Sequence, residues 1–215
     1  LYNLYDDKIN YNARDSYQRN ALMLAMKNGQ VNCIKVLHDS FGDKIDVNAV
    51  DCNQFTALML AAQSNKSDAI VKLYHTYGNK VNVDAVNNKD QTALEIAIKK
   101  GSSESAVALC ECFGNKIRVN LNKALYSSIV NKYGFYMTLL HKYCNDNIDW
   151  NGPYLSDHSD VLKAAISPCS SAFSDPVTKI LATLGICWND KIDINARDSD
   201  DCTILMHLAR QNSIK

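Results

Sequence analysis

One phrase recurs along this chain: Asp7-Lys8-Ile9, Asp43-Lys44-Ile45, Asn79-Lys80-Val81 and Asn115-Lys116-Ile117, each beginning 36 residues after the one before. A fixed period of about 20–50 residues marks a stacked architecture, in which one small unit buries its apolar face against copies of itself. Such a stack builds an extended surface before it builds a pocket. The first expectation is a binding scaffold.

The copies agree where packing demands it. The first reads Asn12-Ala13-Arg14-Asp15, a short polar stretch, then Asn20-Ala21-Leu22-Met23-Leu24-Ala25. The second reads Asn48-Ala49-Val50-Asp51, then Thr56-Ala57-Leu58-Met59-Leu60-Ala61, and the third Asp84-Ala85-Val86-Asn87, then Thr92-Ala93-Leu94-Glu95-Ile96-Ala97. A last copy has Asn195-Ala196-Arg197-Asp198 followed by Thr203-Ile204-Leu205-Met206. Ala25, Ala61 and Ala97 fall three positions after Leu22, Leu58 and Leu94, on one helical face where a small residue lets a neighbouring helix approach. Asn20, Thr56, Thr92 and Thr203 are placed to cap those helices. A second apolar run follows each time and ends at Gly42, Gly78 or Gly114, residues suited to a left-handed C-cap. The unit is two short antiparallel helices and a polar, Asn/Asp-rich extended loop.

This pattern resembles the ankyrin repeat, over nearly the whole chain and specifically in three copies plus the last. The resemblance implies an all-α, ankyrin-like solenoid of stacked helix-turn-helix repeats with short hairpin loops. The chain departs from the family signature in places. Ala21, Ala57, Ala93 and Ile204 stand for its Pro, and Met23, Met59, Glu95 and Met206 for its His. Gln18, Gln54, Asp90 and Asp201 replace the turn Gly, so distorted hairpin tips are expected. The three residues beyond the family period of about 33 fall around Phe41-Gly42-Asp43-Lys44, as a longer second helix or a larger connector.

The units run over residues 7–42, 43–78 and 79–114, then continue in degenerate form over 115–145 and 146–188, with a partial unit at 189–215. The Pro/Ser/Cys-rich run 167–176 reads as a surface loop, because Pro168 and Pro176 break helices. Leu1–Tyr5 looks like the tail of a second helix, and the last unit stops after one helix. The expectation is a piece of a longer protein.

Lys+Arg and Asp+Glu number 23 each, so no whole-chain field recruits nucleic acid or an anionic membrane, and no apolar run is long enough for membrane insertion. Of eight cysteines, Cys33, Cys110 and Cys187 lie in apolar helix-two runs as small hydrophobes, and no paired C-x-x-C units mark a zinc site. Reduced thiols, a cytoplasmic location, and no metal or cofactor are expected.

Ankyrin-like proteins bind partners through hairpin tips and the inward face of helix one. Carried onto this chain, that implies Ser16, Tyr17, Arg19 and Lys27 in the first unit, and Asn53, Phe55, Gln63 and Ser64 in the second. It implies Asn88, Lys89, Gln91, Lys99 and Lys100 in the third, and Asp200, Arg210 and Gln211 in the last. Tyr17, Arg19 and Phe55 stand out, since aromatic and Arg side chains dominate interface energetics. Phe55 sits at a solvent-facing turn position where the repeat needs no aromatic. Lys89, Lys99 and Lys100 form a basic patch too small for a nucleic-acid groove. The implied partner is another protein; the sequence sets no oligomeric state. Low Gly and Pro, Ala in place of Pro, and loops rich in Asn, Lys and Asp are similar to ankyrin proteins of intracellular bacteria or protists, which implies a secreted bacterial effector working in a host cytosol. An alternative is a scaffold carrying or fused to an enzymatic domain, with a site in the irregular 141–176 region, where His141, Cys144, Asp157, His158, Asp160 and Cys169 cluster in sequence.

Overall fold

The structure, a computed structural model, describes residues 9–114, 116–117, 139, 142 and 143. The chain divides into two compact units, Leu1–Ile117 and Arg118–Lys215. The described residues of the first form three helix pairs: α1 Ala21–Asn28 with α2 Val31–Phe41, α3 Ala57–Gln63 with α4 Ser67–Tyr77, and α5 Ala93–Lys100 with α6 Ser103–Phe113. First helices pack on first helices (α1 on α3, α3 on α5) and second on second (α2 on α4, α4 on α6). Among the described residues no strand forms, and Val50 and Thr56 make one isolated antiparallel bridge. This is the all-α helix-turn-helix stack the repeat pattern implies.

Each first helix starts as the sequence anticipates. Asn20 Oδ1 accepts from the Met23 amide at 2.9 Å, and Thr56 and Thr92 Oγ1 accept from Met59 and Glu95 at 3.3 Å. In the third unit Glu95 reaches back to the Thr92 amide at 2.9 Å, completing a capping box. The α3 helix is buried almost all round, from Ala57 to Ala62, because it lies between two neighbours.

The recurring phrase is explained by contacts between units. Ile45, Val81 and Ile117 are buried, and Val47, Ala49 and Val83 alternate with exposed Asp46, Asn48 and Asn82 as extended chain does. The lysine reaches back one unit: Lys80 Nζ meets Asp43, and Lys116 Nζ meets Asn79 Oδ1. Three residues after Ile9 and after Ile45, an asparagine clamps the next unit. Asn12 Nδ2 donates to Lys44 O and Asn48 Nδ2 to Lys80 O, both at 2.8 Å, while Asn48 Oδ1 accepts from the Asn82 amide at 2.8 Å.

Three expectations change. The hairpin tips are regular despite lacking glycine, because Gln18, Gln54 and Asp90 themselves take the left-handed conformation, with φ of 64, 61 and 53°. The second-helix glycines are not left-handed caps: Gly114 is right-handed helical, and Gly42 and Gly78 combine φ of 51° with ψ of −127 and −120°. That region is open essentially to glycine alone, and no atom lies within 4 Å of where a Cβ would stand, so backbone conformation alone sets the requirement. From there the chain enters 3-10 turns, Gly42–Lys44 and Gly78–Lys80, so the additional residues form an enlarged connector. The left-handed caps occur instead after the first helices, at Gly29 and Gly101, with φ of 71 and 70°. Cys33 is exposed rather than a packed hydrophobe, whereas Cys110 is buried.

A test arises at the tips. Left-handed φ costs a non-glycine residue about 1–2 kcal/mol, against about 0.5–1 kcal/mol for the extra chain entropy of glycine. Gln18→Gly with Gln54→Gly is therefore expected to raise stability by about 1–2 kcal/mol in total. Urea unfolding would read this, and a net loss would show that the glutamine side chains hold the tips.

Candidate functional site

Each hairpin tip is organised by one carboxylate or amide oxygen. Asp15 Oδ1 accepts from the Tyr17 and Arg19 amides, both at 2.9 Å; Asp51 Oδ1 accepts from Asn53 and Phe55 at 2.8 and 2.9 Å. Asn87 Oδ1 does the same for Lys89 and Gln91 at 2.9 and 3.1 Å. Such Asx turns satisfy backbone donors that the sharp reversal would otherwise leave open. The tips are also joined to one another, Cys52 N donating to Tyr17 O at 3.0 Å and Asn88 N to Asn53 O at 3.2 Å. Arg14 adds a link from the first tip to Val50 O at 2.7 Å.

This framework sets three side-chain registers that repeat every 36 residues: Tyr17, Asn53 and Lys89 on the tip; Arg19, Phe55 and Gln91 on its return; and Lys27, Gln63 and Lys99 at the end of the first helix. They meet in two adjoining hollows. The first, of about 370 Å³, is lined by Tyr17, Arg19, Lys27, Asp51, Leu60 and the shared wall of Asn53, Phe55 and Gln63. The second, of about 340 Å³, has that same wall, together with Asn87, Asn88, Lys89, Gln91, Ile96, Lys99 and Lys100. All the sequence candidates in these three registers of the first three units thus share one face. Ser16 and Ser64 line neither hollow, Ser64 serving as the C-cap of α3. Asp200, Arg210 and Gln211 lie outside the described residues, as do the 167–176 loop and all six residues of the alternative enzymatic cluster.

Two candidates behave differently from expectation. Phe55 is half-buried, because it lies in the wall between the hollows instead of projecting into solvent. Arg19 is pinned: its Nε and Nη2 reach Asp15 Oδ2 at 2.9 and 2.6 Å, and its guanidinium lies 4.7 Å from the centroid of the Tyr17 ring. That hydrogen-bonded guanidinium holds the Asp15 carboxyl below its usual range, and Asp15 in turn raises Arg19. Tyr17 remains 58% exposed on top of this fixed platform. Sequence reading passed over the tip organisers Asp15, Asp51 and Asn87 and the hollow-lining Leu60 and Ile96. The signal for the organisers was present, an Asp or Asn closing each Asn-Ala-x-Asp run.

Among the described residues no His, Cys, Asp and Glu group could hold a metal ion, and no helix is long and apolar enough to cross a membrane. Burial pushes the half-buried Cys112 thiol up, away from a reactive thiolate.

Comparison with solved structures gives a consistent architecture. The ankyrin repeat domain of Bcl-3, a member of the IkappaB protein family, aligns with a TM-score of 0.70 at 17% identity, covering 96% of this chain and 86% of that one. The ankyrin repeat protein EF0377 gives 0.64 at 15% identity, over 90% and 92%. A chain in the complex of the Bdellovibrio bacteriovorus predatory endopeptidase Bd0816 with immunity protein Bd3460 gives 0.58 at 20% identity, over 94% and 95%. No curated protein matches the sequence. A family model for ankyrin repeats in three copies matches residues 2–85 and again residues 58–151. With most of its length under that model, the chain belongs to the ankyrin-repeat family.

Proposed function

We propose that this chain is a protein-recognition module that binds a partner protein through its hairpin tips and the adjoining ends of its first helices. One observation carries the reading: three side-chain registers, repeated across three units, converge on two hollows with a common wall. Ankyrin repeats are protein–protein interaction modules, generally without enzymatic activity. The inter-tip hydrogen bonds leave little backbone freedom to lose on association, which favours affinity. In this reading the protein acts in the cytosol as the scaffold of a bacterial effector in a host cell, which its Asn-, Lys- and Asp-rich loops support.

The test uses three residues exposed on this face. Tyr17→Ser combined with Asn53→Ala and Gln63→Ala removes contact groups while leaving the tip organisers and the core untouched. Wild type and variant are compared as affinity baits in a eukaryotic cytosolic extract, with quantitative mass spectrometry. A captured protein is expected to fall about tenfold or more with the folded variant, since an exposed aromatic anchor commonly carries about 2 kcal/mol or more. Equal capture by both would move recognition off this face.

A further inference from the structure

The two hollows differ in charge, and the difference defines the partner's chemistry within the recognition reading on which this inference rests. In the first hollow the Arg19 charge is answered by Asp15, and Asp51 contributes a carboxylate to the lining. The second hollow is lined by Lys89, Lys99 and Lys100 and by no carboxylate. Among the described residues no ion pair engages any of these three lysines. A chain of zero net charge thus concentrates unanswered positive charge in one place.

A second, independent feature has the same sign. At the organiser register the first two units have Asp15 and Asp51, but the third has Asn87. Asn87 is 5% exposed and lines the second hollow. Its Oδ1 is held by the Lys89 and Gln91 amides, so its Nδ2 is fixed as a donor, and that donor has no partner. A buried donor left open costs about 1–3 kcal/mol. Lys99 and Lys100 also complement the C-terminal end of α5; that accounts neither for Lys89 on the tip nor for the amide in place of the carboxylate.

We infer that the second hollow receives carboxylates: the partner engages it with an acidic, extended polypeptide segment. Its Asp or Glu side chains meet Lys89, Lys99 and Lys100, while an apolar side chain rests on Phe55 and Ile96. Lysines are flexible point charges suited to carboxylates spaced along a chain, and the hollow lacks the arginine fork that favours one compact phosphate.

The test selects binders from a random 16-residue peptide library on the full chain and measures the synthetic peptides by fluorescence anisotropy. The targets are wild type, Lys89→Gln/Lys99→Gln/Lys100→Gln, and the Tyr17/Asn53/Gln63 variant above. The expected result is a set of peptides rich in Asp and Glu that bind the triple lysine variant about tenfold more weakly, the loss shrinking at high salt. Peptides that depend on Tyr17, Asn53 and Gln63 but carry no acidic excess, or bind the lysine variant unchanged, would overturn the acidic assignment alone. No peptide sensitive to either set of changes would overturn the recognition reading itself. Tighter lysine-dependent binding of phosphoserine-for-Glu versions, or of an oligothymidine, would overturn the carboxylate in favour of phosphate.

Discussion

Truncating Leu58 to alanine is expected to remove about 2–5 kcal/mol of stability, the range for emptying a buried leucine site. Leu58 is 2% exposed in α3, and α3 packs on α1, on α5 and on its own partner α4. Those contacts join the first unit to the third. In a stacked array stability is roughly a sum of unit and interface terms, so damage to the central unit weakens two interfaces at once. Against a total of about 5–15 kcal/mol for a domain, the loss should lower the urea midpoint sharply. It should also split the transition, because the flanking units no longer unfold together. The exposed Ala21 on α1 supplies the control: Ala21→Ser is expected to shift stability by less than about 0.5 kcal/mol. A Leu58→Ala cost below about 1 kcal/mol would mean that the two neighbours collapse onto the gap.

The second large effect centres on Asn65. It occupies the register of Gly29 and Gly101, with φ of 52°, so it ends α3 in the left-handed conformation. Its side chain also works one unit ahead: Oδ1 accepts from the Ser105 amide at 3.1 Å, and Nδ2 donates to Glu104 Oε2. The N-cap of α6, Ser102, makes no side-chain capping bond, so Asn65 supplies it from the preceding unit. Asn65→Ala loses both roles and is expected to cost about 2 kcal/mol, about 1 for the forbidden φ and about 1 for the cap. Asn65→Gly keeps the conformation and loses only the cap, so about 1 kcal/mol. Equal costs for the two variants in denaturant unfolding would refute this division.

The helix pairs and the N-caps of the first helices were legible in the sequence, because each depends on local spacing repeated at a fixed period. What escaped depends on neighbours. Cys33 and Ala69 share a register, yet Ala69 is fully buried, in a helix that packs on both α2 and α6, and Cys33 is exposed. Val36, in the same helix as Cys33, is 60% exposed. Amphipathic pattern names an apolar stripe without saying what will cover it. Phe55 was misjudged for a related reason: a turn position is open in one unit alone, but the adjoining tip and helix ends enclose it. The glycines were mistaken because composition marks where φ is positive and says nothing of ψ, which separates a left-handed cap from the entry to a 3-10 turn.

The contacts between neighbouring units use the same positions at each described seam. Lys80 reaches back to Asp43 and Asn48 reaches forward to Lys80, so every unit presents at its leading edge what the trailing edge of its predecessor lacks. A second copy of residues 43–78 spliced in after position 78 would meet complementary groups at both seams. Tandem duplication can therefore lengthen the proposed binding face in steps of one unit without any compensating substitution. The variable that evolution tunes most easily in such a chain is how much of a partner it reads.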